Sequence, residues 1–386
     1  MANRPLRLTS KHAACRLWLS IAILFSSLFA VPSFAAGRDI VIGQSIDLSG
    51  PQGDIGKDYL AGAKVYFDFV NANGGIAGRK IVHRAVDNRG SAERSAQITA
   101  DFLGRDRVDA LFGYFGQGCV ESLQHSDEFR RSRLPLVAPL SGVGVEPGME
   151  NMFFIRPSYA TEAKKLVGYF LAQGIGKFTA VYAADAYGKA SLAAVENELK
   201  SRRLSLKGRH VVGSDGAEIE AVARAINADK PQAIIVILET LPAAQFVKAY
   251  RKLDITAYIL GLSLIDHVTL FELAGQEAAG TMLTQVVPHP HNWDVPVVME
   301  HDKIMKIYRD EAPSHLSVEG FIAAKLLVAA LKAAGKDASP DSLTAVLRET
   351  RNLDVGGYTL DFSRAKNRGS SYVDINIVTR KGGLMH

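Results

Sequence analysis

The residues best placed to do chemistry lie in turns that follow short apolar runs. The runs at 108–112, 134–138, 178–182 and 233–238 read as strands, and each feeds a stretch of helical spacing. In open α/β sheets, ligands settle beyond the carboxyl ends of strands, beside helix N-termini. The first turn is Gly113-Tyr114-Phe115-Gly116-Gln117-Gly118. Backbone N–H groups left free at a helix start can hold a carboxylate or a carbonyl oxygen, although a plain glycine-rich turn has the same composition. The second turn, Leu140-Ser141-Gly142, offers a hydroxyl. The third opens on Tyr187, whose ring adds buried area and attracts a cation, or else packs on its own surroundings. Leu238-Glu239-Thr240 is the fourth, and Gly261-Leu262-Ser263 ends a later run. Tyr159, just past residue 156, joins the candidates.

This chemistry is binding chemistry. Gly261-Leu262-Ser263 starts like a serine nucleophile elbow, but Ile265 stands where the closing glycine is required. Gly74 to Lys80 does not have the spacing of a phosphate-binding loop. No dinucleotide-binding glycine pattern and no Cys–His pairing is present, so no cofactor is expected. His289-Pro290-His291 with Asp294 supplies too few ligands for a tetrahedral metal site and reads better as a proline-rich surface or hinge-side loop.

The elements that must hold these turns alternate. Asp39 to Asp47 reads as a strand, and Gly56 to Asn73 as a helix with Leu60, Ala63, Phe67 and Val70 on one face. Asn73-Gly74-Gly75 stops it. A strand is expected over Lys80 to Val86, then a helix capped by Ser91, with a further helix from about Val120 to Arg130. The rhythm restarts after Phe153-Phe154-Ile155-Arg156: helices over Thr161–Gln173, Tyr187–Ser201, Glu218–Ala228 and Pro242–Leu253, strands over Phe178–Tyr182, Lys207–Val212, Ala233–Leu238 and Ala257–Leu260. The run AIIVIL suits a parallel strand buried on both faces. Such alternation implies parallel sheets with right-handed crossovers. The tail differs: helices over Val295–Arg309, Ser317–Ala334 and Pro340–Glu349 precede strands over Leu353–Leu360 and Tyr372–Val378. A tail of this kind is best explained by more than one crossover between two doubly wound lobes.

The first 36 residues read as a signal peptide. Arg4, Arg7, Lys11 and Arg16 precede an apolar run from Leu17 to Val31, and small residues follow at Ala35-Ala36. That run is about 15 residues, whereas a bilayer span needs roughly 20. The chain carries +5, and loss of those four charges leaves the mature part near neutral. Near-neutrality gives no electrostatic case for nucleic acid or an anionic membrane. Cys15 leaves with the leader, so Cys119 stands alone and no intrachain disulfide is expected. About 350 residues exceed what one core usually serves, so two domains are expected.

Four stretches resemble the branched-chain-amino-acid-type periplasmic binding proteins of ABC transporters, the leucine/isoleucine/valine-binding kind. They are Ile46-Asp47-Leu48-Ser49-Gly50-Pro51 with Gly56 and Gly62-Ala63, the string VNANGGIAGRKI at Val70 to Ile81, Pro135 to Pro147, and Asp185-Ala186-Tyr187-Gly188. The likeness runs from about Asp39 to the C-terminus. It implies an α/β fold of two doubly wound parallel-sheet lobes joined by a three-strand hinge, the type I periplasmic binding protein. On that pattern lobe 1 is 37–157 plus 288–350, and lobe 2 is 158–287 plus 351–386. The resemblance places a ligand carboxylate at Gln117 and Gly118, a hydroxyl near Ser141 and Gly142, and Tyr187 over the ligand. It places an aromatic near Thr240 and an ammonium-pairing acid near Ser263. Serine cannot pair with an ammonium, and Glu239 and Asp266 are the acids nearest in sequence. Ile55 also replaces an aromatic that amino-acid binders often carry. An unpaired buried ammonium is costly, so amides, ureas and organic acids become candidate ligands beside branched-chain amino acids.

The expected function is therefore capture of a small polar solute in the periplasm by a monomer that delivers it to an ABC permease in the inner membrane, without catalysis. A ligand-binding sensor is the first alternative, a secreted α/β hydrolase a weaker one, and an adhesive protein the last.

Overall fold

The computed structural model describes residues 38–213, 216–309, 311–336, 338–363 and 367–385. The leader expected at residues 1–36, with Cys15, lies outside the described residues, apart from which Asp39–His386 forms one compact unit.

Two sheets organise that unit. The first has five parallel strands: β1 (Ile40–Ile46), β2 (Ile81–Asp87), β3 (Ala110–Phe112), β4 (Leu136–Val137) and β5 (Met152–Phe153), in the order β2-β1-β3-β4-β5. The second contains β6 (Phe178–Ala183), β7 (Arg209–Val212), β8 (Ala233–Ile237), β9 (Tyr258–Gly261) and β10 (Met282–Gln285) in the order β7-β6-β8-β9-β10. The winding is the same in both: the first strand lies between the second and the third. The late strands extend the second sheet: β13 (Asp374–Val378) pairs antiparallel with β10, and β14 (Leu384–Met385) antiparallel with β13. Between β10 and them, β11 (Leu353–Asp354) and β12 (Thr359–Leu360) form a small hairpin.

Local chemistry accounts for the elements. Strand β8, AIIVI, is buried at every position, as a parallel strand covered on both faces must be. Helix α1 (Gly53–Ala72) buries Ile55, Tyr59, Ala63, Phe67 and Val70 and stops before Gly74 and Gly75, both at positive φ. Ser91 caps α2 (Ala92–Gly104) by accepting from the Arg94 N–H at 3.2 Å. The single helix expected over 120–130 is two helices, α3 (Gln117–Gln124) and α4 (Asp127–Ser132). The break falls at Ser126, whose hydroxyl accepts from the Phe129 N–H and starts a new helix.

The second sheet is flanked by α5 (Tyr159–Ala172), α6 (Ala186–Ser201), α7 (Ile219–Ala228), α8 (Thr240–Arg251) and α9 (His267–Ala274). The chain then supplies α10 (Pro296–Tyr308), α11 (His315–Ala334) and α12 (Pro340–Glu349). Helix α11 is buried along most of its length and lies against α1 so closely that Gly62 and Gly320 meet the facing backbone. The late helices thus cover the first sheet, and the final strands return to the second.

Three segments join the sheets, and they are bonded together. The Phe154 N–H donates to the Asn367 carbonyl at 2.7 Å, and the Gly369 N–H to the Phe154 carbonyl at 2.8 Å. The Tyr358 hydroxyl lies 3.3 Å from the Ile155 carbonyl oxygen and 3.1 Å from that of Val286. Arg368 donates to the carbonyls of Arg156 and Val143, each at 2.6 Å.

Candidate solute-binding cleft

In a doubly wound sheet the crevice opens where neighbouring strands send their connections to opposite faces, beyond the carboxyl ends. Here that point falls after β1 and β3 in the first sheet, and after β6 and β8 in the second. Both pairs of loops line one cavity of about 410 Å³. Asp47, Gln52 and Phe115 to Cys119 come from the first lobe, and Ala183, Asp185 to Tyr187 and Leu238 to Pro242 from the second. A neighbouring cavity of about 390 Å³ shares Pro51, Gln52, Glu239 and Leu241 with it, and adds Thr240, Asp266 and Ser314.

The first-lobe wall is a helix N-terminus. Gly116, at φ 102°, precedes α3 and has no side chain to cap it. The first-turn N–H groups, including those of Gln117 and Gly118, therefore face the cavity as donors. The Gln117 side chain is held from behind. Its Oε1 accepts from the Ser141 hydroxyl at 3.0 Å and from the Tyr159 hydroxyl at 3.2 Å, while its amide donates to Glu121. Ser141 is fully buried, and a Cβ on Gly142 would strike the Tyr159 ring. Ser141, Gly142 and Tyr159 thus stand one layer behind the wall, whereas Gln117, Gly118 and Tyr187 form it.

The second-lobe wall is acidic and aromatic. Asp185 caps α6 by accepting from the Gly188 N–H at 2.7 Å. Tyr187 meets Tyr159 edge-on, with ring centroids 5.5 Å apart. Its hydroxyl is buried without a partner among the described residues, and burial raises its pKa. Glu239 precedes α8 yet caps nothing, and no hydrogen bond or ion pair engages its carboxylate among the described residues. Burial, then the charges of Asp185 and Asp47, push its pKa up to about 7. Thr240 lies in the adjoining cavity, and its hydroxyl accepts from the Asp266 N–H at 3.0 Å. Cys119 is buried at the cavity's base, and burial raises its thiol to about 11, so it is a packed group rather than a nucleophile.

Ser263 lies in neither cavity. Its hydroxyl accepts from Arg156 Nη1 at 3.2 Å, and its N–H donates to Glu162 at 3.0 Å. Arg156 in turn makes a two-point pair with Glu319. Sequence reasoning missed Arg156, Glu162 and Glu319. The available signal was an arginine ending the run Phe153-Phe154-Ile155, since a charge in an apolar crossover must find a partner. The His289 ring lies tilted against that of His291 and edge-on to that of His315, but no group of three or more His, Cys, Asp or Glu among the described residues could hold a metal ion.

A family model described as periplasmic binding protein matches residues 39–382. A leucine/isoleucine/valine-binding protein homolog 3 from Brucella melitensis is 20% identical over 364 residues, 92% of this chain and 97% of that protein. A crystal structure of a substrate-binding periplasmic protein from Ralstonia solanacearum superposes with a TM-score of 0.85 at 33% identity, covering 90% of this chain and 99% of that one. A branched-chain amino acid ABC transporter protein from Thermus thermophilus, solved with bound valine, superposes with a TM-score of 0.82 at 18% identity, over 90% of this chain and 95% of that one, and shares the fold.

Proposed function

This chain belongs to the periplasmic binding protein family, and from that premise we propose that it is the solute-binding component of an ABC transporter. It captures a small polar solute between its lobes and hands it to a permease in the inner membrane. The lobes are 37–157 with 288–350, and 158–287 with 351–386, and the leader at 1–36 directs export to the periplasm. The protein acts as a monomer and catalyses nothing.

One observation carries this reading: the switch points of both sheets line a single cavity of a size suited to a small solute. Gln117 and Gly118 offer backbone donors from one lobe, and Tyr187 offers a ring from the other. Ser141, Gly142 and Tyr159 hold that geometry, Thr240 flanks it, and Ser263 ties it to the hinge. The valine held by the Thermus thermophilus protein supports a branched-chain amino acid, while the serine at 263 in place of an acid keeps an amide, urea or organic acid of like size as the alternative. Closing about the hinge would bury the solute and present one closed shape to the permease.

A thermal-shift screen tests this. The protein is unfolded and refolded to strip bound solute, then screened against amino acids, short amides, urea and organic acids. A solute at 100 times its Kd stabilises by about 2.7 kcal/mol, a visible melting shift. No shift with any class contradicts solute capture.

A further inference from the structure

We propose that His267, His289 and His315 form an acid-released latch between the lobes: their neutral rings pack the lobes together, and protonation parts them. Acid then opens the clamp. The proposal goes beyond solute capture and needs only that the lobes move about the hinge.

Two observations lead here. The first is where the rings come from. His267 opens α9 in the second lobe, His315 opens α11 in the first, and His289 lies in the second crossover. The centroid of the His315 ring lies 5.7 Å from that of His267 and 5.3 Å from that of His289, edge-on in both cases. One contact therefore spans the lobe boundary, and the other ties it to the hinge. The second observation is what the rings lack. Both ring nitrogens of His315 and Nε2 of His289 are buried with no hydrogen-bond partner among the described residues. An imidazolium has two N–H donors and a charge, and this site matches neither. The packed contact thus admits the neutral rings alone, and the same burial lowers the pKa of His315. Water reaches His315 when α9 moves away, so proton uptake goes with separation of the lobes. A second proton on a neighbouring ring adds repulsion between like charges.

The charged groups around the rings do not supply the missing partner. Asp266, also on the second lobe, has an oxygen 3.9 Å from His267 Nδ1, and Asp374 on β13 acts on His289; both favour the protonated rings. His291, tilted against His289, opposes protonation. Glu319, one turn along α11 from His315, is taken up by Arg156. On α1, Asp58 is bonded to the Ser314 side chain and feels the charge of Asp266 across the boundary. Acid neutralises Asp58 and eases that repulsion, which works against the latch. The sign for the rings is the reverse. Exposed rings titrate near pH 6.5 and packed ones below it, so the packed contact is fully favoured above about pH 6.5. Below that, the closed population falls by up to about tenfold per pH unit for each ring.

The test reads the distance between the lobes directly. Nitroxide labels are placed at Q97C in α2 and K189C in α6, both exposed positions, while the buried Cys119 stays unlabelled. Pulsed electron paramagnetic resonance then gives the ratio of short to long distances in the solute-free chain, with circular dichroism confirming the fold at each pH. From pH 7.5 to pH 5 the ratio should fall at least about tenfold. H315F keeps a ring and takes no proton, so its ratio should not change with pH. H267F makes the same change on the other lobe, should blunt the response, and serves if H315F does not fold. A wild-type ratio that is the same at both pH values, or a response in these variants equal to that of wild type, overturns the latch. The readout needs no solute, so its failure leaves solute capture standing, and failure of the solute screen leaves the latch open to this test.

Discussion

Arg156, in the first segment joining the two sheets, makes a two-point ion pair with Glu319, near the start of α11. Nε lies 2.9 Å from one carboxylate oxygen and Nη2 2.9 Å from the other, and the side chains are 1% and 2% exposed. Burial opposes the guanidinium charge, but Glu319 more than offsets this and raises the arginine pKa. Breaking such a pair leaves an unmatched charge in the interior. E319Q or R156M should cost about 3–5 kcal/mol in urea unfolding, and a well-packed R156M/E319L pair should recover most of it. A single-variant loss below about 1 kcal/mol would show that the pair does not hold the hinge.

The crossing of α1 and α11 depends on two glycines. A Cβ on Gly62 would overlap the Ser317 carbonyl oxygen, and one on Gly320 that of Tyr59. Either helix must move to admit a methyl group. G62A and G320A should each lose about 1–3 kcal/mol or more by overpacking. G104A, at the open end of α2 with nothing near, should be neutral or slightly stabilising in the same unfolding assay.

Acid should weaken the fold through its buried histidines. His267, His289 and His315 come from α9, the second crossover and α11, and the His315 ring meets each of the other two edge-on. Burial first, then their mutual proximity and that of His291, lowers the pKa of His289 and His315; at His267 the Asp266 charge partly opposes this. His83 and His301 are lowered to about 3 and about 4. With folded values below unfolded ones, the unfolded chain takes up protons first. Their stability is full above about pH 6.5 and is lost as pH falls below it. Asp58 and Glu239, raised to about 6 and about 7 chiefly by burial, have the opposite sign: their folded forms hold protons that the unfolded forms release above about pH 4. Asp374 beside His289 and Asp266 beside His267 also temper the histidines. Melting temperature should fall from pH 7 to pH 5 in wild type and fall less in H315Q. An unchanged slope in H315Q would remove that ring from the account.

The wall of the cleft and its backing should separate by mutation. Y187A removes a ring that lines the cavity and should weaken solute binding about 10- to 100-fold. S141A removes one of two donors to Gln117 Oε1 and leaves the Tyr159 hydroxyl in place. It should cost about 0.5–1.5 kcal/mol of stability, with up to tenfold in affinity. Calorimetry with the solute from the screen checks both, and an S141A effect as large as that of Y187A would put Ser141 in direct contact with solute.

Much of this was legible because the signals were local. The run AIIVIL, the Asn73-Gly74-Gly75 stop and the Ser91 cap each act within a few residues of themselves. The break at Ser126 was not legible, since Val120 to Arg130 keeps helical spacing and the cap competes only weakly with it. Strands β5 and β10 are too short, or too much like their surroundings, to stand out, and β14 exists only because β13 offers it an edge. In the cleft, the turns at Gln117, Tyr187 and Thr240 could be read from their places after strands. The roles of Ser141, Tyr159 and Ser263 depend on Gln117, Arg156 and Glu162, between 24 and 107 residues away, and spacing carries no trace of such contacts.

The most direct test of the central claim is hydrogen–deuterium exchange with and without the solute from the screen. Capture between the lobes predicts slowed exchange in both walls at once, at Gln117–Cys119 at the start of α3 and at Tyr187–Lys189 at the start of α6. Protection of one wall alone, or only around Arg224, Lys248 and Lys252 in the separate cavity between α7 and α8, would contradict it.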